Sequence, residues 1–162
     1  MASSTVVILK KESYLAMIHN AVGTNLFRNL YATVNGEKQD ITKDGDLSCA
    51  FFVSSILAHF HFIESPHGTV AGVERDLKKS GWRTTNTPQP GDVLVWEKKI
   101  QNSAVNAHVG FFIGDDQAIS NDWQTRVPIK HHMTYGTNED GTPVRAIVAI
   151  YTRDYTRAFD AE

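Results

Sequence analysis

The stretch Asp44-Gly45-Asp46-Leu47-Ser48-Cys49-Ala50-Phe51-Phe52-Val53-Ser54-Ser55-Ile56-Leu57 holds the only cysteine of the chain and decides how the rest is organised. From the cysteine onward, apolar residues recur at the spacing of a helix that buries one face. They are Cys49, Phe52, Val53, Ile56, Leu57 and Phe60. Turn-forming residues come before them, with Asp46 or Ser48 as candidate N-cap. The pattern therefore predicts a helix that begins at or just before Cys49.

A cysteine in this position has its sulfur at a helix N-terminus. The free N–H groups and the positive end of the helix dipole favour a thiolate, so we expect the pKa of Cys49 to fall below the value of about 8.5 for a free thiol. That is the state a cysteine nucleophile needs. The alternative is an inert buried cysteine, because free cysteine is among the most buried residue types.

Composition bounds the class of protein. The chain has 162 residues, a net charge of -2 and 41% hydrophobic residues, which predicts one globular domain over residues 1–162. Lysines and arginines are scattered, which argues against nucleic acid as the main partner. A lone cysteine cannot form an intramolecular disulfide and is too few for a thiolate zinc site.

The chain shows no targeting segment. Met1 to Lys11 carries only a short apolar run, so we predict no signal peptide and a cytoplasmic protein as synthesised. No apolar run approaches about 18 residues, so no membrane span is expected. We expect a monomer.

The elements before the cysteine follow from periodicity and turn residues. We predict a short strand or arm at Thr5 to Leu9 and a helix from Ser13 to about Val22, capped by Ser13. Asn35-Gly36 is the strongest hairpin signal in the chain, and it joins the predicted strands Tyr31 to Val34 and Glu37 to Thr42.

After the cysteine helix, Thr69 to Ser80 is predicted to be a helix with Thr69 as its cap. Strands follow, with Pro128 placing one of them at an edge. They are Val93 to Trp96, Ala107 to Ile113, Gln117 to Asn121, Arg126 to Met133 and Arg145 to Thr152, with Lys98 to Asn106 as a polar connection. Helices that precede strands indicate an α+β fold with an antiparallel sheet of about five or six strands.

The histidines do not form a metal motif. His59, His61 and His67 are close in sequence, but residues two apart on a helix point to different faces, whereas zinc sites of this kind need a spacing of four. We therefore expect no metal and no cofactor. His131 and His132 are interpreted as surface residues of an exposed strand, with one of them facing water.

Several of these features occur together in a known group of enzymes. A helix that starts at Cys49, a Pro90-Gly91-Asp92 turn into Val93-Leu94-Val95-Trp96, and the strand His108-Val109-Gly110-Phe111-Phe112-Ile113-Gly114 resemble the NlpC and CHAP groups of papain-like cysteine hydrolases. The resemblance covers about Asp44 to Asp122. It implies a papain-like fold with N-terminal helices, in which the catalytic cysteine at a helix start packs on an antiparallel sheet.

The resemblance also implies the roles of the site residues. Cys49 would be the nucleophile and His108 the general base and acid. These families add a third polar residue, usually histidine, asparagine or glutamate, on the neighbouring strand. Here Ser120 occupies the place where the NlpC histidine would fall, and Asn121 and Asp122 are the next two residues.

Strand register favours Asn121 as the third residue. If the hairpin closes on Asp115-Asp116 alone, Gly114 pairs with Gln117, and Asn121 then shares a face with His108. Its amide oxygen can accept a hydrogen bond from an imidazole N–H. We predict Asn121 in this role, with Ser120 and then Asp122 as alternatives.

The function implied by the resemblance is hydrolysis of amide bonds in peptidoglycan. The enzyme would act as an endopeptidase on the stem peptide or as an N-acetylmuramoyl-L-alanine amidase. Alternatives are a papain-like hydrolase or acyltransferase with another substrate inside the cell, and an inactive binding module of the same fold. The absence of an export signal also fits a phage lysin or an injected effector, which reach the wall by a non-classical route.

Overall fold

The computed structural model describes residues 6–156 of the chain. Its helices are α1 (Lys10–Asn20), α2 (Cys49–His59) and α3 (Val70–Lys79). Its strands are β1 (Tyr31–Val34), β2 (Glu37–Asp40), β3 (Arg83–Thr84), β4 (Val93–Gln101), β5 (Ala104–Gly114), β6 (Gln117–Asn121), β7 (Pro128–His132) and β8 (Ile147–Thr152).

Six strands form one sheet in the order β3-β8-β4-β5-β6-β7, and β1 and β2 form a separate hairpin. The strand pairs of the large sheet are antiparallel. The α+β class and the antiparallel sheet are therefore as the sequence predicted. Pro128 begins β7 at the edge of the sheet, where its missing N–H is harmless, as was also expected.

Helix α2 covers one face of the sheet. Its first residue is Cys49 and Ser48 is its N-cap, which confirms the predicted start, although the Ser48 side chain makes no capping hydrogen bond. The buried face of α2 shares a hydrophobic cluster with Val109 and Phe111 of β5. Each such apolar side chain contributes about 1.5–3 kcal/mol by leaving water.

A second, smaller cluster covers the opposite face of the sheet. It is formed by Leu94, Trp96, Phe112 and Ala118. With both faces covered, β4 begins as an unbroken apolar run instead of an alternating one, and all four residues from Val93 to Trp96 are buried. His108 pairs with Trp96 in the β4–β5 register, which places it on the face of this second cluster.

The N-terminal prediction was wrong in detail. Helix α1 begins at Lys10, and Leu9 precedes it without a side-chain cap, so Ser13 is not the cap. The backbone N–H of Ser13 already donates to the Leu9 carbonyl within the first turn. Residues 6–9 are exposed and form no strand, and Thr5 lies outside the described residues. The buried Tyr14 marks the face of α1 that packs against the core.

The long β4–β5 hairpin was also missed in part. Lys98 to Asn106 was predicted to be a connection, but β4 runs to Gln101 and β5 resumes at Ala104. Asn102 and Ser103 make the turn with positive φ values of 48° and 65°. The hairpin extends beyond the core here, so its residues are mostly polar, the apolar Ile100 and Val105 are exposed, and the stretch lacks a clear strand pattern.

Smaller differences concern strand ends. The two-residue strand β3 has no counterpart among the predicted strands, and β8 begins at Ile147, two residues after the predicted Arg145. Within residues 6–156, no helix has the length and apolar character needed to cross a membrane.

Candidate active site

Cys49 lines a cavity between the start of α2 and the ends of the central strands. The cavity has a volume of about 470 Å³, and its wall includes Cys49, Asp46, His108, Asn121 and Trp123. The thiol is a free one and is partly accessible. The structure thus brings the predicted nucleophile and the predicted base to one cavity. No hydrogen bond joins the two in the described chain.

The charge state of Cys49 differs from the expectation. The backbone N–H groups of Cys49 and Ala50 at the helix start do lower the pKa of the thiol, as do the N–H of Val109 and the positive charge of Arg145. Burial has the larger effect, so the pKa is raised overall. The resting sulfur is therefore a thiol.

His108 lies in β5 and is 8% exposed. Its Nε2 lies 2.9 Å from Ser120 Oγ, and its ring packs 5.2 Å from the Trp96 ring. Burial lowers the pKa of His108 to about 3, and the positive charge of Arg145 and the neighbouring His131 act in the same direction. The imidazole is therefore neutral at neutral pH, with one ring nitrogen able to accept a proton.

The residue of the neighbouring strand that meets the His108 ring is Ser120. Of the three residues considered from the sequence, Ser120 is the one that contacts the His108 ring. Asn121 instead donates from Nδ2 to the Gly45 carbonyl, at 2.8 Å, and so ties β6 to the loop before α2. The Asp122 carboxylate accepts hydrogen bonds in the turn that follows.

A bulge explains why Ser120, the alternative, and not Asn121 makes this contact. The predicted pairing of Gly114 with Gln117 is present, but the next pair is Phe112 with Ala118. Ile113 is thus an extra residue in β5, and it reverses the faces of β6 relative to the simple register. Ser120 shares the face of His108 as a result.

Two residues of the site were not foreseen. Ser120 Oγ also lies 2.8 Å from His131 Nε2 and 3.0 Å from the Tyr135 hydroxyl. The His131 and Tyr135 rings stack at 4.0 Å. The expectation that one histidine of this pair faces water is met by His132, which is exposed, whereas His131 is partly buried in the site. The available signal was register, since Ser120 pairs with Ile129 and its diagonal neighbour on the same face is His131.

Positively charged side chains also lie near His108. A second cavity of about 270 Å³ is lined by His108, Tyr135, Lys99 and Arg145, among others. The Arg145 guanidinium donates to the main-chain carbonyls of Glu97 and Asn106. These bonds fix the charge that acts on Cys49 and His108.

The remaining histidines have other surroundings. His67 Nε2 lies 2.7 Å from the Asp76 carboxylate, which also accepts from the backbone N–H of Glu64. Hydrogen bonds hold the pKa of Asp76 below its usual value, despite partial burial. Within residues 6–156, no group of three or more His, Cys, Asp or Glu residues is placed to hold a metal ion.

Comparison of the chain with protein-family models and with curated proteins gives no match. The site combines a thiol and a neutral imidazole that line one cavity, with the imidazole held by a hydroxyl. These are the residue types that nucleophilic attack assisted by a base requires.

Proposed function

We propose that this protein is a papain-like cysteine hydrolase related to the NlpC and CHAP groups, and that it cleaves amide bonds in peptidoglycan. The observation that carries the proposal is the shared cavity of Cys49 and His108. Two further observations support it: Cys49 is the first residue of α2, and the His108 Nε2 is held by Ser120. The antiparallel sheet that packs on α2 supports the fold assignment.

The reaction starts from a neutral pair. As the Cys49 sulfur attacks the amide carbonyl, its proton passes to His108, and a tetrahedral intermediate forms. The imidazolium then gives the proton to the leaving amine as the C–N bond breaks. His108 next removes a proton from water, which attacks the thioester and releases the acid and the thiol. Backbone N–H groups in the first turn of α2 can stabilise the oxyanion.

The substrate class comes from the resemblance of the motifs, and the bond cleaved is either within the stem peptide or between sugar and peptide. Digestion of purified cell walls, followed by mass spectrometry of the released fragments, distinguishes the two bonds by their new termini. We expect Cys49→Ala and Cys49→Ser to lose essentially all release. Ser55→Ala, on the same helix, removes a buried hydroxyl with no partner in the described chain. It serves as the matched control and should remain active.

The raised pKa of Cys49 favours a second candidate, an inactive binding module of the same fold. The two are separated by the pH dependence of Cys49 alkylation by iodoacetamide. A hydrolase requires labelling that slows when His108 is replaced by alanine. A thiol that reacts like a small free thiol in both proteins, with no fragments released from walls, would favour the binding module.

A further inference from the structure

Ser120 Oγ is the centre of a buried hydrogen-bond network. It has three neighbours, His108 Nε2 at 2.9 Å, His131 Nε2 at 2.8 Å and the Tyr135 hydroxyl at 3.0 Å. A hydroxyl has one proton to donate and two lone pairs that accept. The three contacts therefore use its full capacity, and the direction of one bond restricts the directions of the others.

The direction is set at His131. Its Nδ1 lies 2.8 Å from the backbone carbonyl of His132. A carbonyl oxygen can only accept, so Nδ1 carries a hydrogen. Burial lowers the pKa of His131, against opposing effects of this backbone bond and of Asp122, and the ring is therefore neutral at neutral pH. Its Nε2 is then a pure acceptor, and Ser120 must donate to it.

This fixes the donors of the remaining two hydrogen bonds. With its single proton committed to His131, Ser120 can only accept from Tyr135 and from His108. The Tyr135 hydroxyl and the His108 Nε2–H are thus both donors. His108 is left with a bare Nδ1, which is the nitrogen able to accept a proton in the cavity.

We propose that His131 is a positioning residue that fixes the tautomer of His108 through the hydroxyl of Ser120. Its consequence for hydrolysis rests on the proposed function, since the bare Nδ1 would be the atom that receives the thiol proton. The charged and titratable groups around this network are Cys49, Asp122, His132, Arg145 and Tyr135.

The tautomer can be read directly from the nitrogen chemical shifts of 15N-labelled histidine in the intact protein at neutral pH. We expect wild-type His108 to be protonated at Nε2 only. In His131→Phe, the phenylalanine ring can still stack on Tyr135 but offers no hydrogen-bond acceptor to Ser120. Ser120 is then free to donate to His108, and the form protonated at Nδ1 should become populated.

Two variants sharpen the test. His131→Gln offers an amide oxygen to Ser120, and we expect it to restore the wild-type tautomer. His132→Phe is the matched control, because the exposed His132 side chain bonds only to Thr134 among the described residues and its backbone carbonyl is retained. It should leave the tautomer of His108 unchanged.

In the hydrolysis assay, His131→Phe should lower kcat by about 10- to 100-fold, because part of the His108 population then carries the wrong tautomer, with little change in KM. His131→Gln should recover most of that loss. A purely structural role would not predict this rescue.

The proposal is overturned if wild-type His108 carries its proton on Nδ1, a result that needs no variant to fold. It is also overturned if folded His131→Phe keeps the wild-type tautomer. Because the tautomer is measured without substrate, it can respond to His131 even if Cys49→Ala leaves wall cleavage intact. That combination would support the network and reject the proposed function.

Discussion

The Cys49 thiol and the His108 imidazole each experience opposing influences, and burial has the largest effect on both pKa values. Residue type and helix position were readable from the sequence. The degree of burial was not, because it depends on how α2 and β5 pack together. The prediction of a resting thiolate at Cys49 was therefore wrong, although Cys49 and His108 do line one cavity.

The low pKa of His108 makes stability depend on pH. In the unfolded chain His108 binds a proton below about 6.5, whereas the folded protein holds it neutral down to about 3. The unfolded state therefore binds more protons between these values, and stability falls as pH is lowered through this window. The expected slope from His108 is about 1.4 kcal/mol per pH unit.

Urea unfolding at several pH values between 4 and 6.5 measures this slope. We expect His108→Gln to flatten it relative to wild type, since the glutamine does not titrate. His132→Gln replaces an exposed histidine and should keep the wild-type slope. Equal slopes for wild type and His108→Gln would contradict the assignment of a buried neutral imidazole.

At the scale of elements, the β5–β6 hairpin decides which side chain meets His108. The Asp115-Asp116 turn and the Gly114–Gln117 pair were predictable from turn chemistry. The bulge at Ile113 was not, and it adjoins a contact that is visible only in the fold. Phe112 exchanges backbone hydrogen bonds with Gly91 and Asp92, which belong to the turn before β4.

The same hairpin gives Asn121 a structural role. Its bond to the Gly45 carbonyl holds the loop that leads to Cys49, and its buried Oδ1 has no partner in the described chain. Asn121→Ala should lower the free energy of unfolding by about 1 kcal/mol, because the lost bond outweighs removal of the unpaired oxygen. Asn121→Asp should cost more, since an oxygen then faces the carbonyl.

Urea unfolding of both variants checks this ordering, and the wall assay adds a second readout. Asn121→Ala should keep most activity, whereas Ser120→Ala should lose it. An aspartate variant as stable as wild type would contradict the role of the bond to Gly45. A position-121 alanine variant less active than Ser120→Ala would show that Asn121 acts on His108 after all.

At the scale of the whole molecule, the Pro90-Gly91-Asp92 turn ties the first helix to the sheet. The Tyr14 hydroxyl of α1 donates to the Gly91 carbonyl at 2.7 Å, and the Tyr155 hydroxyl donates to the buried Asp92 carboxylate at 3.0 Å. The motif that contributed to the resemblance is thus a packing junction. The sequence marks it as a turn, but its long-range partners are visible only in the fold.

Gly91 should be the least replaceable glycine at this junction. It has a φ of +100°, and an added Cβ would lie 2.8 Å from the Tyr14 ring. Gly91→Ala should therefore cost a few kcal/mol, from the left-handed backbone together with overpacking. Gly81→Ala is the matched control, with a φ of +84° but open space around it, and should cost about 1–2 kcal/mol.

Urea unfolding gives both values, and their difference isolates the contact with Tyr14 from the backbone strain. If the two variants lose the same stability, the ring moves aside at little cost and the junction is not tightly packed.

The protonated state of the Cys49 thiol affects its resistance to oxidation. Oxidation by peroxide to sulfenic acid proceeds from the thiolate, so a thiol with a raised pKa reacts slowly. Cys49 should accordingly remain reduced during prolonged exposure to peroxide at neutral pH. Cys49 would then be sensitive to oxidants mainly while a base holds the proton of its thiol.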